Sequence, residues 1–209
     1  MSSERYADVA RVLARVLVLN LVVAVAKIAF GYSSGAISIL SDGFHSLTDA
    51  SSNVVGLIGV YAARRPPDED HPYGHRKYET MAAVGVVAFL GLVMAEVLRN
   101  AFNHLTGRSP VPDIGTVGFI VMALTVAVNI IVVRYESAAA ERLGSEVLLA
   151  DATQTRGDVW SSLTVIVALA GARSGVPILD PIAALVVAAF IGYSGYQIAL
   201  TTMKILSDR

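Results

Sequence analysis

Six apolar stretches, each long enough to cross a bilayer as a helix, fill most of this 209-residue chain. A spanning helix needs about 20 predominantly apolar residues. The stretches run roughly over 11–31, 36–62, 79–104, 113–137, 145–172 and 178–204. Gly31 to Gly35 separates the first two, and Arg64 to Lys77, with Pro66, Pro67 and Pro72, separates the next. Gly107 to Pro112, Glu136 to Gly144 and Gly171 to Pro177 supply the other breaks. Lipid offers the backbone no hydrogen-bond partner, so such stretches fold as helices. The expected fold is an all-α membrane protein, a single six-helix transmembrane bundle over 1–209. The chain is 55% hydrophobic and 16% charged, against about 25% charged in soluble domains.

Lys and Arg in short loops mark the cytoplasmic side. With the N-terminus inside, eleven of them face the cytoplasm, among them Arg5, Arg11, Arg15, Arg64, Arg65, Arg76, Lys77 and Arg142. Only Arg99, Arg108 and Arg173 fall outside. Both termini are therefore expected in the cytoplasm. Lys27 and Arg156 remain within spans, and Lys27 reads as a snorkelling side chain or half of a buried salt bridge. The first apolar run is too long for a signal peptide and has no small-residue cleavage pattern, so it reads as a retained span. A net charge of −1 gives no basic excess for nucleic acid. With no cysteine, disulfides and thiolate metal sites are excluded.

Two polar strings interrupt the apolar pattern, 109 positions apart: Asp42-Gly-Phe-His45-Ser-Leu-Thr-Asp49 and Asp151-Ala-Thr-Gln154-Thr-Arg-Gly-Asp158. Both read D-x-x-[H/Q]-x-x-x-D, on spans 2 and 5, a relation that two three-helix repeats would produce. Residues four apart share a helix face, so His45 with Asp49 and Gln154 with Asp158 can aim at one point. Ionisable groups at membrane depth are costly and mark ion paths or partners. A lone His is commonly a packing residue, and a lone Asp could pair with Lys27 or Arg156; the repeated spacing favours a cation site. One imidazole, two carboxylates and an amide oxygen suit a divalent first-row ion, and four such donors suit tetrahedral Zn²⁺. Metal needs neutral His and ionised Asp, so metal and protons compete for these atoms.

Asp42 and Asp151 lie three residues before His45 and Gln154. They are candidates to orient the ligands, to cap a helix or to line a vestibule. Asn53 and Ser162 continue the same faces and are expected to hydrogen-bond between helices, as are Asn20 and Asn129. In the loop after span 2, Asp68, His71 and His75 could gather around a metal, although Pro72 and Gly74 preclude a helix there. His104 reads as interfacial, and Glu96 as the one glutamate clearly inside the membrane.

The chain resembles the cation diffusion facilitator family of divalent metal/proton antiporters. The resemblance covers essentially the whole sequence and rests on SILSDGFHSLTDASSN, HPYGHRKYET, LLADATQTRGDVWSSL and LDPIAAL. It implies a transporter and not an enzyme, exporting metal from the cytoplasm through the cell (inner) membrane by alternating access. It implies a transport site at His45, Asp49 and Asp158, with Gln154 by position, and a homodimer with one pathway per protomer. It also implies a loop metal site at Asp68, His71 and His75. Zn²⁺ ranks first, then Fe²⁺, Co²⁺, Mn²⁺ and Cd²⁺, with H⁺ as coupling ion and no resident cofactor. Two departures stand out. Many members continue into a cytoplasmic metal-binding domain that is absent from this sequence; either the protein works without it, its dimer resting on membrane helices, or the sequence is a truncated piece. Zinc members carry His or Asp where this chain has Gln154, and an oxygen donor there hardens the site. The rivals are a passive divalent cation channel and, remotely, an intramembrane hydrolase built on Gly192-Tyr-Ser194-Gly195. The hydrolase lacks both a histidine after the serine and an H-E-x-x-H string.

Overall fold

The computed structural model describes residues 3–62, 76–108 and 115–207. They form six helices: α1 (Ser3–Ser34), α2 (Ile37–Ala62), α3 (Arg76–Leu105), α4 (Thr116–Leu143), α5 (Glu146–Arg173) and α6 (Leu179–Ser207). Each expected stretch corresponds to one helix, and two depart by more than a turn: α1 begins at Ser3, eight residues before its expected start, and α4 ends later than expected. The expected end of α4 is 137, but it runs to Leu143 and closes at Gly144, whose φ of 58° is the left-handed conformation of a helix cap. Ser137-Ala-Ala-Ala140-Glu-Arg is too polar to extend an apolar stretch, yet it is strongly helix-forming.

Four helices (α1, α3, α4 and α6) are each long and apolar enough to cross a membrane. Helices α2 and α5 fall short because polar residues interrupt them. They nevertheless occupy the middle: α2 touches α1, α3, α5 and α6, and α5 touches α4, α2 and α6. Their polar faces turn inward, and the apolar surface is outside, with Val18, Val22, Leu92, Val167 and Met203 exposed. An apolar exterior around a polar interior is the arrangement a bilayer selects.

Two apolar clusters hold the ends of the bundle. One joins Ile37 and Ile39 of α2 to Val93 and Val97 of α3, Met122 of α4, Leu169 of α5 and Ala184 of α6. The other joins Val9 to Val16 of α1, Val132 to Ala140 of α4 and Leu148 of α5, with Leu57 of α2 against it. Starts and ends of successive helices thus alternate between the two clusters, as in an up-and-down bundle. Between the clusters lies a buried polar layer.

The α1–α2 approach is unusually close. A Cβ on Gly31 would lie 2.6 Å from the backbone nitrogen of Leu40, and one on Gly43 would lie 2.8 Å from that of Ile28. Glycine at both positions lets the two backbones touch. The outer start of α2 is fixed by α6. Asp180 accepts the amides of Ile37 (3.0 Å) and Ser38 (3.1 Å) and the Ser38 hydroxyl. A carboxylate there satisfies amides that no helix turn precedes and complements the helix dipole.

Candidate metal centre

The antiparallel crossing of α2 and α5 sets the register of the two polar strings. Four residues along α2 are matched by four residues back along α5. His45 therefore meets Asp158, with Nε2 and Oδ1 3.4 Å apart, and Asp49 accepts a hydrogen bond from the Gln154 amide nitrogen. Donor atoms of His45, Asp49 and Asp158 all lie within 4.8 Å of one another, and all three residues are buried. No other group of three such residues converges in this way among the described residues. Nδ1 of His45, Oδ2 of Asp49 and Oδ1 of Asp158 have no hydrogen-bond partner. Buried polar atoms are rarely left so, and an imidazole and two carboxylates whose donor atoms gather within 4.8 Å are the chemistry of a cation site.

Gln154 is half-buried and holds Asp49 through its nitrogen. A half-turn of the amide would present its oxygen instead. The Phe190 ring of α6 lies beside His45 with centroids 6.4 Å apart. A cavity of about 380 Å³ reaches the centre along α5 and α6, lined by His45, Asp49, Gln154, Ser161 and Ser194 and rimmed by Trp160 and Tyr193. Ser194 and His45 share this cavity without a hydrogen bond between them among the described residues. Gly192 and Gly195 face Met94 and Leu90 of α3, so that string serves helix packing.

Asp42 sits one turn outward of His45 in a fully buried ion pair with Lys27 at 2.8 Å. Ser161 and Ser162 each donate to its carboxylate at 2.8 Å, and Lys27 also donates to Ser46 (3.0 Å) and Ser162 (2.9 Å). Lys27 is thus the buried half of a salt bridge and does not snorkel. Asp42 faces this ammonium and two hydroxyls, one of them from Ser161, which also lines the cavity at His45. Asp151 lies one turn inward of Gln154, beside Asn53 and Glu136. Glu136, fully buried in α4, was hidden by its position at the edge of an apolar stretch; Glu96 is not alone inside the membrane. Asn20 Oδ1 and Asn129 Nδ2 are buried without partners, unlike the expected inter-helix bonds. Asp68, His71 and His75 lie outside the described residues.

Residues 13–207 match the family model of the cation efflux transmembrane domain. The chain belongs to the cation diffusion facilitator family. It is 34% identical to an uncharacterized transporter of Methanocaldococcus jannaschii over 92% of this chain and 68% of that protein. It is 32% identical to metal tolerance protein 2 of Oryza sativa subsp. japonica, over 92% of this chain and 56% of the relative. It is 29% identical to the manganese efflux system protein MneS of Bacillus subtilis, over 90% and 64%. The chain thus spans between about half and two thirds of the length of these curated relatives. As a cation diffusion facilitator it is a multi-pass membrane protein with a cation efflux domain, in a family of transporters and not of enzymes.

Proposed function

We propose that this protein exchanges a divalent transition metal against protons, exporting the metal from the cytoplasm by alternating access. The observation that carries this reading is the convergence of His45, Asp49 and Asp158 from two antiparallel helices at membrane depth, with free donor atoms. Two carboxylates balance a +2 charge, so a loaded site is close to neutral and tolerable in low dielectric. The same atoms bind protons when the metal leaves, because metal requires the imidazole and carboxylates deprotonated. In the proposed cycle, cytoplasmic metal displaces protons, the helices rearrange, and external protons compete the metal off. The protonated form then returns. Gln154 steadies Asp49 or, with its amide turned, adds an oxygen donor.

Zn²⁺ fits three N/O donors with one open position. Mn²⁺ is the second reading, supported by the oxygen-rich donor set and by a relative named for manganese efflux. The protein is proposed to work as a homodimer, with one pathway in each protomer. The test is reconstitution into liposomes carrying an internal pH dye, challenged in turn with Zn²⁺, Mn²⁺, Fe²⁺, Co²⁺ and Cd²⁺. Metal-driven proton movement is expected, and it should vanish in Asp49→Ala and Asp158→Ala while both remain folded. Metal flux without proton movement points to a channel, and exchange retained in both variants overturns the site.

A further inference from the structure

The 109-residue offset that relates the two polar strings extends beyond them. It carries Lys27 onto Glu136, Asp42 onto Asp151, Ser46 onto Thr155 and Ser162 onto Asn53. The structure assembles both sets in the same way. On the outer side, the α1 side chain Lys27 bonds Asp42 and Ser46, with Ser162 reaching across from the opposite helix. On the inner side, the α4 side chain Glu136 meets Asp151 and accepts a hydrogen bond from Thr155 at 3.1 Å, with Asn53 reaching across from α2. One substitution breaks the likeness: where the outer set has an ammonium, the inner set has a second carboxyl group.

The consequence is an uncompensated site. Glu136 and Asp151 stand carboxyl to carboxyl, and one oxygen of each, Oε1 and Oδ2, has no partner. Asn53, 5% exposed, reaches the Asp151 carboxyl group from α2. Among the described residues no ion pair reaches either carboxyl group; Lys27 is committed to Asp42, and Arg156 turns to Ser137 on the exposed side. Two carboxyl groups buried together either share a proton or hold a cation between them. We propose that Glu136 and Asp151, with Asn53 and Thr155, hold a divalent cation. This second site lies one turn inward of His45, Asp49 and Asp158, on the face that bears the termini. Its donors are oxygens throughout, the set that suits Mn²⁺ and other hard ions, whereas the central site offers an imidazole. An ion arriving from the inner face would pause here before passing along the shared faces of α2 and α5 to Asp49. The role as a staging post rests on the transport reading; the binding does not.

The test measures Mn²⁺ binding to the full chain in detergent micelles, by the loss of the free-ion electron paramagnetic resonance signal. His71 and His75 are replaced by alanine throughout, so that an ion in the loop does not contribute. With Asp49→Asn and Asp158→Asn removing the central site, Mn²⁺ binding is expected to remain. Adding Glu136→Gln and Asp151→Asn should weaken it at least about 10-fold. Absence of binding in the first protein, or equal binding in both, overturns the proposal; equal binding would mean a carboxyl pair bridged by a proton as a purely structural element. If the second protein fails to fold, Asn53→Asp in the first replaces it. A third carboxylate should then tighten Mn²⁺ about 10-fold, and unchanged affinity refutes the site. Glu136→Gln/Asp151→Asn with the central site intact separates the two readings. Loss of all binding there, with binding kept in the central-site variant, overturns the central site alone.

Discussion

Replacing Lys27 by methionine tests the outer half of the polar layer. Lys27 and Asp42 are fully buried and 2.8 Å apart. At an effective dielectric of about 20, their gross attraction is about 6 kcal/mol. Most of this is offset by the cost of drying both charges. The truncation is far more costly than the net worth of the pair, because it leaves the buried Asp42 without its counter-ion. Only the Ser161 and Ser162 hydroxyls would remain to solvate it. Breaking a buried pair from one side costs about 3–5 kcal/mol, or roughly 140- to 3,700-fold in the folding equilibrium at 1.4 kcal/mol per decade. Lys27→Met/Asp42→Asn removes both charges at similar volume and should recover to within about 1–2 kcal/mol of the parent. The assay is unfolding in mixed detergent micelles at fixed pH without metal, run as a complete double-mutant cycle. A loss below about 1 kcal/mol in Lys27→Met, or a double variant as damaged as the two singles together, would refute the argument.

Three further outcomes follow from single contacts. Gln154→His should raise the preference for Zn²⁺ over Mn²⁺ by about 10-fold in the liposome assay, since imidazole is the softer donor; an unchanged ranking would count against its place beside the metal. Gly31→Ala drives a Cβ toward the Leu40 backbone nitrogen, a steric conflict worth about 1–3 kcal/mol, and an unaltered melting temperature would contradict the close approach. Asp180→Ala strips two amides and a hydroxyl at the start of α2 of their acceptor. The expected loss is about 2 kcal/mol, with faster amide exchange at Ile37 and Ser38 as its local signature.

The helices were legible because hydropathy and span length report directly on the bilayer. The site was legible in part because residues four apart must share a helix face, which puts His45 with Asp49 and Gln154 with Asp158. What stayed hidden depends on the partner across the gap. Asp42 gives no sign in the sequence that its partners are Lys27, 15 residues earlier, and Ser161 and Ser162, more than 100 residues later. Glu136 was obscured for another reason. Hydropathy ends a stretch where polar residues gather, whereas a helix continues for as long as its backbone bonds and propensities allow. The arginine, glutamates and alanines around it therefore read as a loop while folding as the last turns of α4. A signal was available: applying the 109-residue offset to Lys27, a charge already known to lie in a span, lands on Glu136.

That offset explains why one motif produces two unlike environments. In an inverted pair of three-helix units, each local arrangement recurs on the opposite side of the membrane. With identical sequences the two sides would be electrostatically equivalent, and a cation at His45, Asp49 and Asp158 would face the same field in both directions. Lys27 and Glu136 break this equivalence with a minimal change. The outer copy carries its own ammonium and is neutral as built, so it binds its three helices together and offers a cation nothing. The inner copy replaces that ammonium with a carboxyl group and is left short of positive charge. On the proposed reading a divalent cation is attracted on the inner side and meets no net charge to hold it on the outer side. The direction of loading would then reside in the sign of one side chain in each half of the repeat, and exchanging those signs is the perturbation most expected to weaken it.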